Sequence, residues 1–412
     1  MTARYTLARA AGHTAAGLSR LTGRGGGTTI GGRITLLLDP DALRAAAAGR
    51  ELALVSGTNG KTTTRTLLVA ALRTRGPVVS NSGGANLPTG LTAALAADRT
   101  SPVGVLEVDE PFLPRVAAAV SPRVVVLLNL SRDQLDRYAE VRRLAGIWHD
   151  ALAAPDGPHV VANADDPLVV WAASSAPSVT WVSAGQRWTY DSTSCPACGD
   201  ILRRDGNGWR SDGCGLSRPQ PQWQADGTTV IGPEQRRHQV ALAIPGEVNV
   251  GNAALAAAAA ARWGVEADTA LAAMATIPSV EGRYLETSYQ GRPVRLLLAK
   301  NPAGWAEALR MARPDTGVVV AVNARAADGR DPSWLWDVPF EVLRGRHAIA
   351  AGERSRDVAV RLRYAGVEHV RVDGLAEAIR AARSTAAGGG GPVEVLANYT
   401  AFQGYRKVVG HA

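Results

Sequence analysis

Leu52-Ala53-Leu54-Val55-Ser56-Gly57-Thr58-Asn59-Gly60-Lys61-Thr62-Thr63 is the stretch that decides the fold. The apolar run Leu52 to Val55 predicts a buried strand, the two glycines a tight turn, and Thr62 to Arg73 a helix. Strand, glycine loop and helix in this order have the parts of a phosphate-binding loop. Glycines let backbone N–H groups face the phosphates, and the helix N-terminus adds favourable partial charge. Lys61 would then neutralise the β- and γ-phosphates of ATP, and the Thr62 hydroxyl would reach magnesium. A glycine turn with an accidental Lys-Thr is the bland alternative, and the flanking strand and helix count against it. Lysine usage counts against it too, since the chain contains only Lys61, Lys300 and Lys407.

Outward from this loop the pattern stays α/β. Apolar runs at Val103 to Val108, Val124 to Leu128, His159 to Ala162 and Val179 to Val182 are separated mostly by helix-length segments. That alternation predicts a parallel sheet covered by helices. A stretch from Trp188 to Trp223, rich in aromatics and Arg and holding all three cysteines, breaks the rhythm as an insertion. Ala253 to Ala261 predicts a helix, because Ala has the best helix propensity. A second α/β unit begins near Arg292, with strand candidates at Val294 to Leu298, Val318 to Val322, His347 to Ala350, His369 to Val372 and Val393 to Ala397. Ahead of everything, Gly23 to Gly32 predicts a loop and Ile34 to Leu38 a short strand or helix.

The 412 residues imply two or three domains, and 46% hydrophobic against 20% charged residues is the balance of a globular protein. No run approaches the roughly 18 apolar residues of a membrane span. The stretch to Leu21 is interrupted by Gly12, His13 and Ser19 and lacks a signal-peptide core, so a cytoplasmic location is expected. The net charge of +8 suits nucleic acid, an anionic membrane surface or a phosphorylated substrate, and charge alone does not choose. Three cysteines between positions 195 and 214 point to metal binding in preference to a disulfide framework.

The loop Gly57-Thr58-Asn59-Gly60-Lys61-Thr62-Thr63 resembles that of Mur ligases, and other segments agree in order. These are Asn129 to Arg137, Asn163 to Asp166, Gly246 to Ala254 and Gly282-Arg283. The cysteine-bearing insertion, Ala299 to Gly304, Ala327 to Asp337 and Asn398 to Ala401 resemble the MurT branch, the synthase subunits of lipid II isoglutaminyl synthases. The resemblance implies a short N-terminal segment at 1–45 in place of a UDP-binding domain. It implies a central ATPase domain at 46–285, with a zinc-ribbon-like insertion at 188–225, and a C-terminal α/β Rossmann-like domain at 290–412.

The resemblance also implies roles. Glu107, before Asp109-Glu110 at the end of an apolar run, matches a magnesium-binding Glu, which with Thr62 would complete a hard oxygen shell; a solvated acidic turn is the alternative. Asn249 and Asn252, three apart and so on one helix face, would lie on the nucleotide with Arg283, although an Asn there could equally cap the helix. Peptide-forming Mur ligases use a carbamylated lysine for a second magnesium, and this chain has no Lys between Lys61 and Lys300. Asp133 or Asp136 could carry part of that charge, or both could lie at the surface of a helix start. Cys195-Pro196-Ala197-Cys198 and Ser211-Asp212-Gly213-Cys214 resemble a zinc-ribbon pair in which Ser211 stands where relatives carry the fourth Cys, which leaves the fourth ligand open, with a ribbon without metal as the alternative. Lys300 and Asn301 would line the substrate cleft, with a turn before Pro302 as the alternative. Asp331 or Asp337 would act in catalysis with Lys61 and Glu107, one of the two orienting the histidine of a partner glutaminase, while capping and solvent exposure remain open for each.

A function is implied in the same way. ATP would phosphorylate the D-glutamate α-carboxylate of the lipid II stem peptide, and ammonia from a separate GatD-like glutaminase subunit would convert it to D-isoglutamine. A heterodimer at the inner leaflet is expected, with no nucleic acid. The alternatives are a Mur or folylpolyglutamate-type ligase adding an amino acid, and a zinc-ribbon NTPase that binds nucleic acid.

Overall fold

A computed structural model describes residues 3–22, 28–133, 141–206, 208–280, 282–385 and 392–410. The chain divides into two units. The first holds Met1–Leu130, Glu140–Ala243 and Glu247–Pro278; the second holds Ser131–Ala139, Ile244–Gly246 and Ser279–Ala412.

The first unit is built on strands β1 (Glu51–Ser56), β2 (Val78–Ser80), β3 (Val103–Glu107), β4 (Val124–Leu127), β5 (His159–Asn163) and β6 (Val179–Ser183). They pair in parallel in the order β2-β3-β1-β4-β5-β6. Continuous apolar sequence explains this arrangement. Leu52 to Val55 and Val124 to Leu127 are buried on both faces, as strands covered by helices on either side must be. The insertion contributes the hairpin of β7 (Arg203–Asp205) and β8 (Gly208–Arg210). After it, β9 (Trp223–Asp226) runs parallel to β6, and β10 (Thr229–Ile231) and β11 (Arg237–Gln239) extend the sheet antiparallel to nine strands.

The N-terminus corrects the sequence reading. Helices span Ala3–Leu21 and Thr28–Leu38, so Gly31 and Gly32 lie inside a helix and not in a loop, while positions 23–27 fall outside the described residues. Close packing is the physical reason. A Cβ on Gly12 would stand 2.1 Å from Thr35 Oγ1, and one on Gly32 would stand 1.8 Å from the Thr89 carbonyl oxygen. Contact with neighbouring backbone outweighs the helix-weakening tendency of glycine, which is about 1 kcal/mol per residue.

The second unit has strands β12 (Tyr284–Tyr289), β13 (Arg292–Leu298), β14 (Gly317–Ala321), β15 (His347–Ala351), β16 (Glu368–Arg371) and β17 (Val393–Ala397). Their order is β12-β13-β17-β14-β15-β16, parallel except for the β12–β13 pair. β17 inserts between β13 and β14, so the last strand of the chain lies at the centre of the sheet. The glycine run Gly388 to Gly391 lies outside the described residues. Among the described residues, no helix is long and apolar enough to cross a membrane.

Candidate nucleotide site and thiol cluster

The loop after β1 is held by its neighbours. Gly57 has φ +142° and Gly60 φ +87°, conformations that favour glycine. Space forbids a side chain as well, since a Cβ on Gly57 would lie 2.8 Å from Leu128 Cβ and one on Gly60 would lie 2.7 Å from Asn252 Oδ1. Asn129, just beyond β4, clasps the loop in both directions. The Asn59 N–H donates to Asn129 Oδ1 at 2.9 Å, and Asn129 Nδ2 donates to the Asn59 carbonyl at 3.0 Å. The Thr58 N–H also donates to the Asn129 carbonyl at 2.9 Å. Gly60 then caps the helix Lys61–Arg73, whose first turn carries Thr62 and Thr63. Such a loop, closed on itself and opening onto a helix N-terminus, suits a polyphosphate.

Charge gathers beside it. Register places Glu107 opposite Val55 across the β1–β3 pair, and Asn81 clasps the Glu107 peptide from both sides at 2.9 Å. The buried Glu107 carboxylate lies 3.8 Å from Arg65 Nε. Lys61, also buried, donates to Glu110 Oε2 at 2.9 Å and lies 3.8 Å from Asp109 Oδ1. Burial pushes the Lys61 ammonium down, but Glu110, Asp109 and Glu107 outweigh it and hold its pKa above the ordinary lysine value. Burial likewise pushes the Glu110 carboxyl up, and Lys61 more than reverses this, leaving it low. Thr62 and Glu107 offer the hard oxygen donors that suit magnesium.

Asn252 is buried in the helix Glu247–Ala260 and binds inward. It accepts from Thr64 Oγ1 at 3.2 Å and donates to Asn249 Oδ1 at 3.1 Å. Sequence spacing pairs these two asparagines on one face, but it assigns no part to Asn129, Asn81 or Glu110. A polar residue at the carboxyl end of a parallel strand is the signal that could have found the two clasps.

The remaining expected residues belong to the second unit. Arg132, Lys300, Asn301, Asp328, Asp331 and Asp337 line a single concavity there. Asn301 caps the helix Pro302–Met311 by accepting from the Gly304 N–H at 2.9 Å. Lys300 Nζ lies 5.9 Å from the Tyr399 ring centre. Asp331 accepts from both the Ser333 N–H and its hydroxyl at 2.8 Å, which hold its carboxyl below the usual range. Asp337 faces Arg132 at 3.3 Å. Arg283 lies in the turn before β12, and its N–H donates to the Val280 carbonyl. Asp133 groups with the second unit, and Asp136 lies outside the described residues.

In the insertion the sulfurs of Cys195, Cys198 and Cys214 lie within 4.8 Å of one another. The two knuckles have one backbone pattern. The Cys195 N–H donates to the Asp200 carbonyl and the Gly199 N–H to the Cys195 carbonyl; the Ser211 N–H donates to the Leu216 carbonyl and the Gly215 N–H to the Ser211 carbonyl. Gly199 and Gly215 both have positive φ, +88° and +75°. Ser211 therefore occupies in the second knuckle the place that Cys195 has in the first, with its hydroxyl 3.2 Å from Cys198 Sγ. Burial raises the Cys195 thiol, but the Cys198 N–H, the Ser211 hydroxyl and the Ala197 N–H outweigh it, and the pKa is lowered to about 7. Three converging sulfurs, one already easily ionised, fit a zinc ion.

Residues 55–260 match the Mur ligase middle domain and residues 298–402 the MurT ligase C-terminal domain. The chain is 30% identical to "Lipid II isoglutaminyl synthase (glutamine-hydrolyzing) subunit MurT" of Staphylococcus aureus strain N315, over 85% of each chain. It is 29% identical to the protein of the same name from Streptococcus pneumoniae strain R6, over 95% of this chain and 94% of that one. Among solved structures, a pseudomurein peptide ligase type C from Methanothermus fervidus shares the fold, with a TM-score of 0.67 at 21% identity over 87% of this chain and 78% of that one.

Proposed function

The chain belongs to the Mur ligase family, in its MurT branch, and is an ATP-dependent ligase of peptidoglycan synthesis; from that premise we propose that it amidates the D-glutamate α-carboxylate of the lipid II stem peptide, using ammonia from a glutaminase subunit. The observation that carries this reading is a MurT-type C-terminal unit on the same chain as a complete phosphate loop. The thiol cluster supports it. All three cysteines converge in the insertion, so none is left as the nucleophile of a glutamine-hydrolysing site.

In the first step a carboxylate oxygen attacks the γ-phosphorus of ATP, ADP leaves, and an acyl phosphate forms. In the second, the ammonia lone pair attacks the acyl carbon, inorganic phosphate leaves with the bonding pair, and the nitrogen loses a proton. Lys61 and the N–H groups of Gly60 to Thr63 at the helix start hold the phosphates and stabilise charge on the transferring phosphoryl group. To do so Lys61 exchanges Glu110 for phosphate oxygens. Asn252 sets the position of Gly60, and Asn249 and Arg283 act toward the nucleotide. Thr62 and Glu107 hold magnesium, which supplies charge neutralisation at the phosphates when bound. Lys300 and Asn301 face the substrate. Asp331 or Asp337 acts toward the glutaminase histidine, the heterodimer being part of the proposal. Cys195, Cys198 and Cys214 would hold zinc, which would serve as a structural tie for the insertion.

The test supplies the chain with ATP, magnesium, lipid II and ammonium, or with glutamine and the glutaminase, and follows the stem peptide by mass spectrometry. Amidation from ammonium by the chain itself, and from glutamine only with the partner, is the expected result. Absence of amide with both nitrogen sources overturns the proposal, and incorporation of an added amino acid in place of ammonia assigns the chain to the amino-acid-adding ligases.

A further inference from the structure

Five arginines and no aspartate or glutamate precede Asp39, so this short segment alone supplies +5 to a chain whose net charge is +8. Its two helices, Ala3–Leu21 and Thr28–Leu38, form an antiparallel hairpin. Arg4 Nε donates to the Leu38 carbonyl at 2.9 Å at one end, and Gly12 packs on Gly31 and Thr35 further along. The inner face of the second helix, with Gly32 against Thr89, covers the helix Pro88–Ala97.

The outer face is apolar where a solvent-facing surface is expected to be polar. Leu7, Leu18 and Leu21 are 72%, 58% and 86% exposed, and Leu37 is 79% exposed. At about 100° per residue, Leu18 and Leu21 fall within about 40° of Leu7 around the first helix, and Ile30 and Leu37 within about 20° of each other around the second. The exposed Arg33 stands among these side chains, within about 60° of Ile30 and Leu37, and the exposed Arg20 lies at the flank of the first helix, about 140° from Leu7. The antiparallel pairing brings Leu7 toward the end that carries Leu37 and Leu38.

We propose that this hairpin docks the protein on an anionic lipid bilayer, its leucines and isoleucine at the acyl boundary and its arginines at the headgroups. Aliphatic side chains interleaved with arginine and free of acid have the composition of an interfacial helix. A nucleic acid would use the arginines and leave the leucines in water, and the interface with a protein partner would favour aromatics at its centre. The inference stands apart from the amidation chemistry, since it needs no lipid II.

Flotation of the full-length protein with phosphatidylcholine vesicles, and with vesicles carrying in addition about 30% phosphatidylglycerol, tests it. Binding to the anionic vesicles, weakened by salt and several-fold lower on phosphatidylcholine, is expected. The triple variant Leu7→Gln/Leu18→Gln/Leu37→Gln and the double variant Arg20→Glu/Arg33→Glu should each lower binding by about tenfold or more. Both sets of side chains are exposed, so melting temperature and ATP hydrolysis should match the parent and show that the fold is intact. Failure of the parent protein to float with anionic vesicles overturns the proposal, as does binding that both variants retain. A parent that ignores vesicles but loses self-association in the leucine variant assigns the face to a second copy of the chain and overturns it too. Amidation of detergent-dispersed substrate is unaffected in every case, so the two readings fail separately.

Discussion

Lys61 sits in a buried ion pair with Glu110, and that pair couples the nucleotide site to stability. Glu110 has its pKa lowered from 4.5, so it contributes stability that is present above that value and lost as pH falls through its folded value. Lys61 has its pKa raised from 10.5, so its contribution is present below that value and lost only as pH rises beyond it. Lys61→Met should abolish phosphoryl transfer, by about a hundredfold or more in rate, and leave Glu110 buried without its cation. Burial then raises the Glu110 pKa, and protonation relieves the variant. The gap in urea midpoint between parent and variant should therefore be widest near neutrality and narrow below about pH 4.5, which denaturation curves across that range would reveal. The loop that carries Lys61 and Thr62 was legible in the sequence because its strand, glycine turn and helix are contiguous. The clasps were not, because Asn129 and Asn81 act on residues 70 and 26 positions away.

At the scale of elements, glycine is read correctly only when its neighbours are known. Gly32 favours a loop by propensity, yet it sits in the helix Thr28–Leu38 because its hydrogen face lies on the Thr89 carbonyl. Gly32→Ala should lower stability by about 1–3 kcal/mol despite the better helix propensity of alanine, and a lower melting temperature with earlier proteolysis ahead of Asp39 would show it. The central strands were legible for the opposite reason, since uninterrupted runs such as Val124 to Leu127 have no soluble alternative to burial on both faces. The short strands β9 to β11 mix Gln224, Asp226 and Arg237 with few apolar residues and give no such signal. In the insertion, the shared knuckle pattern means that Ser211→Cys places a fourth thiol where the backbone already provides for one. That variant should hold zinc at least about tenfold more tightly in competition with a chromophoric chelator. Adding zinc to metal-free parent protein should shift the emission of Trp209, which shares a small core with Cys195.

Across the whole molecule, each unit keeps its polar machinery at the carboxyl ends of parallel strands. The phosphate loop, Glu107 and Asn129 follow β1, β3 and β4, while Asn301 and Asn398 follow β13 and β17. Neither unit supplies a thiol for hydrolysing glutamine, because the cysteines are gathered in the insertion. If nitrogen arrives as free ammonia, the attacking species is the unprotonated form. At fixed total ammonium its concentration rises about tenfold per pH unit near neutrality. The groups around the loop do not oppose that rise. Lys61 stays charged in this range, because Glu110 and its acidic neighbours hold its pKa up in the open site and phosphate oxygens take their place when ATP is bound. The ammonium-driven rate of the chain should consequently climb by about tenfold per unit between about pH 6.5 and pH 8 at subsaturating ammonium. With glutamine and the partner glutaminase, where ammonia is released enzymatically, the same profile should be nearly flat. Initial rates of amide formation under the two nitrogen supplies check this, and a flat ammonium profile would mean that a protein group, and not free ammonia, sets the pH dependence.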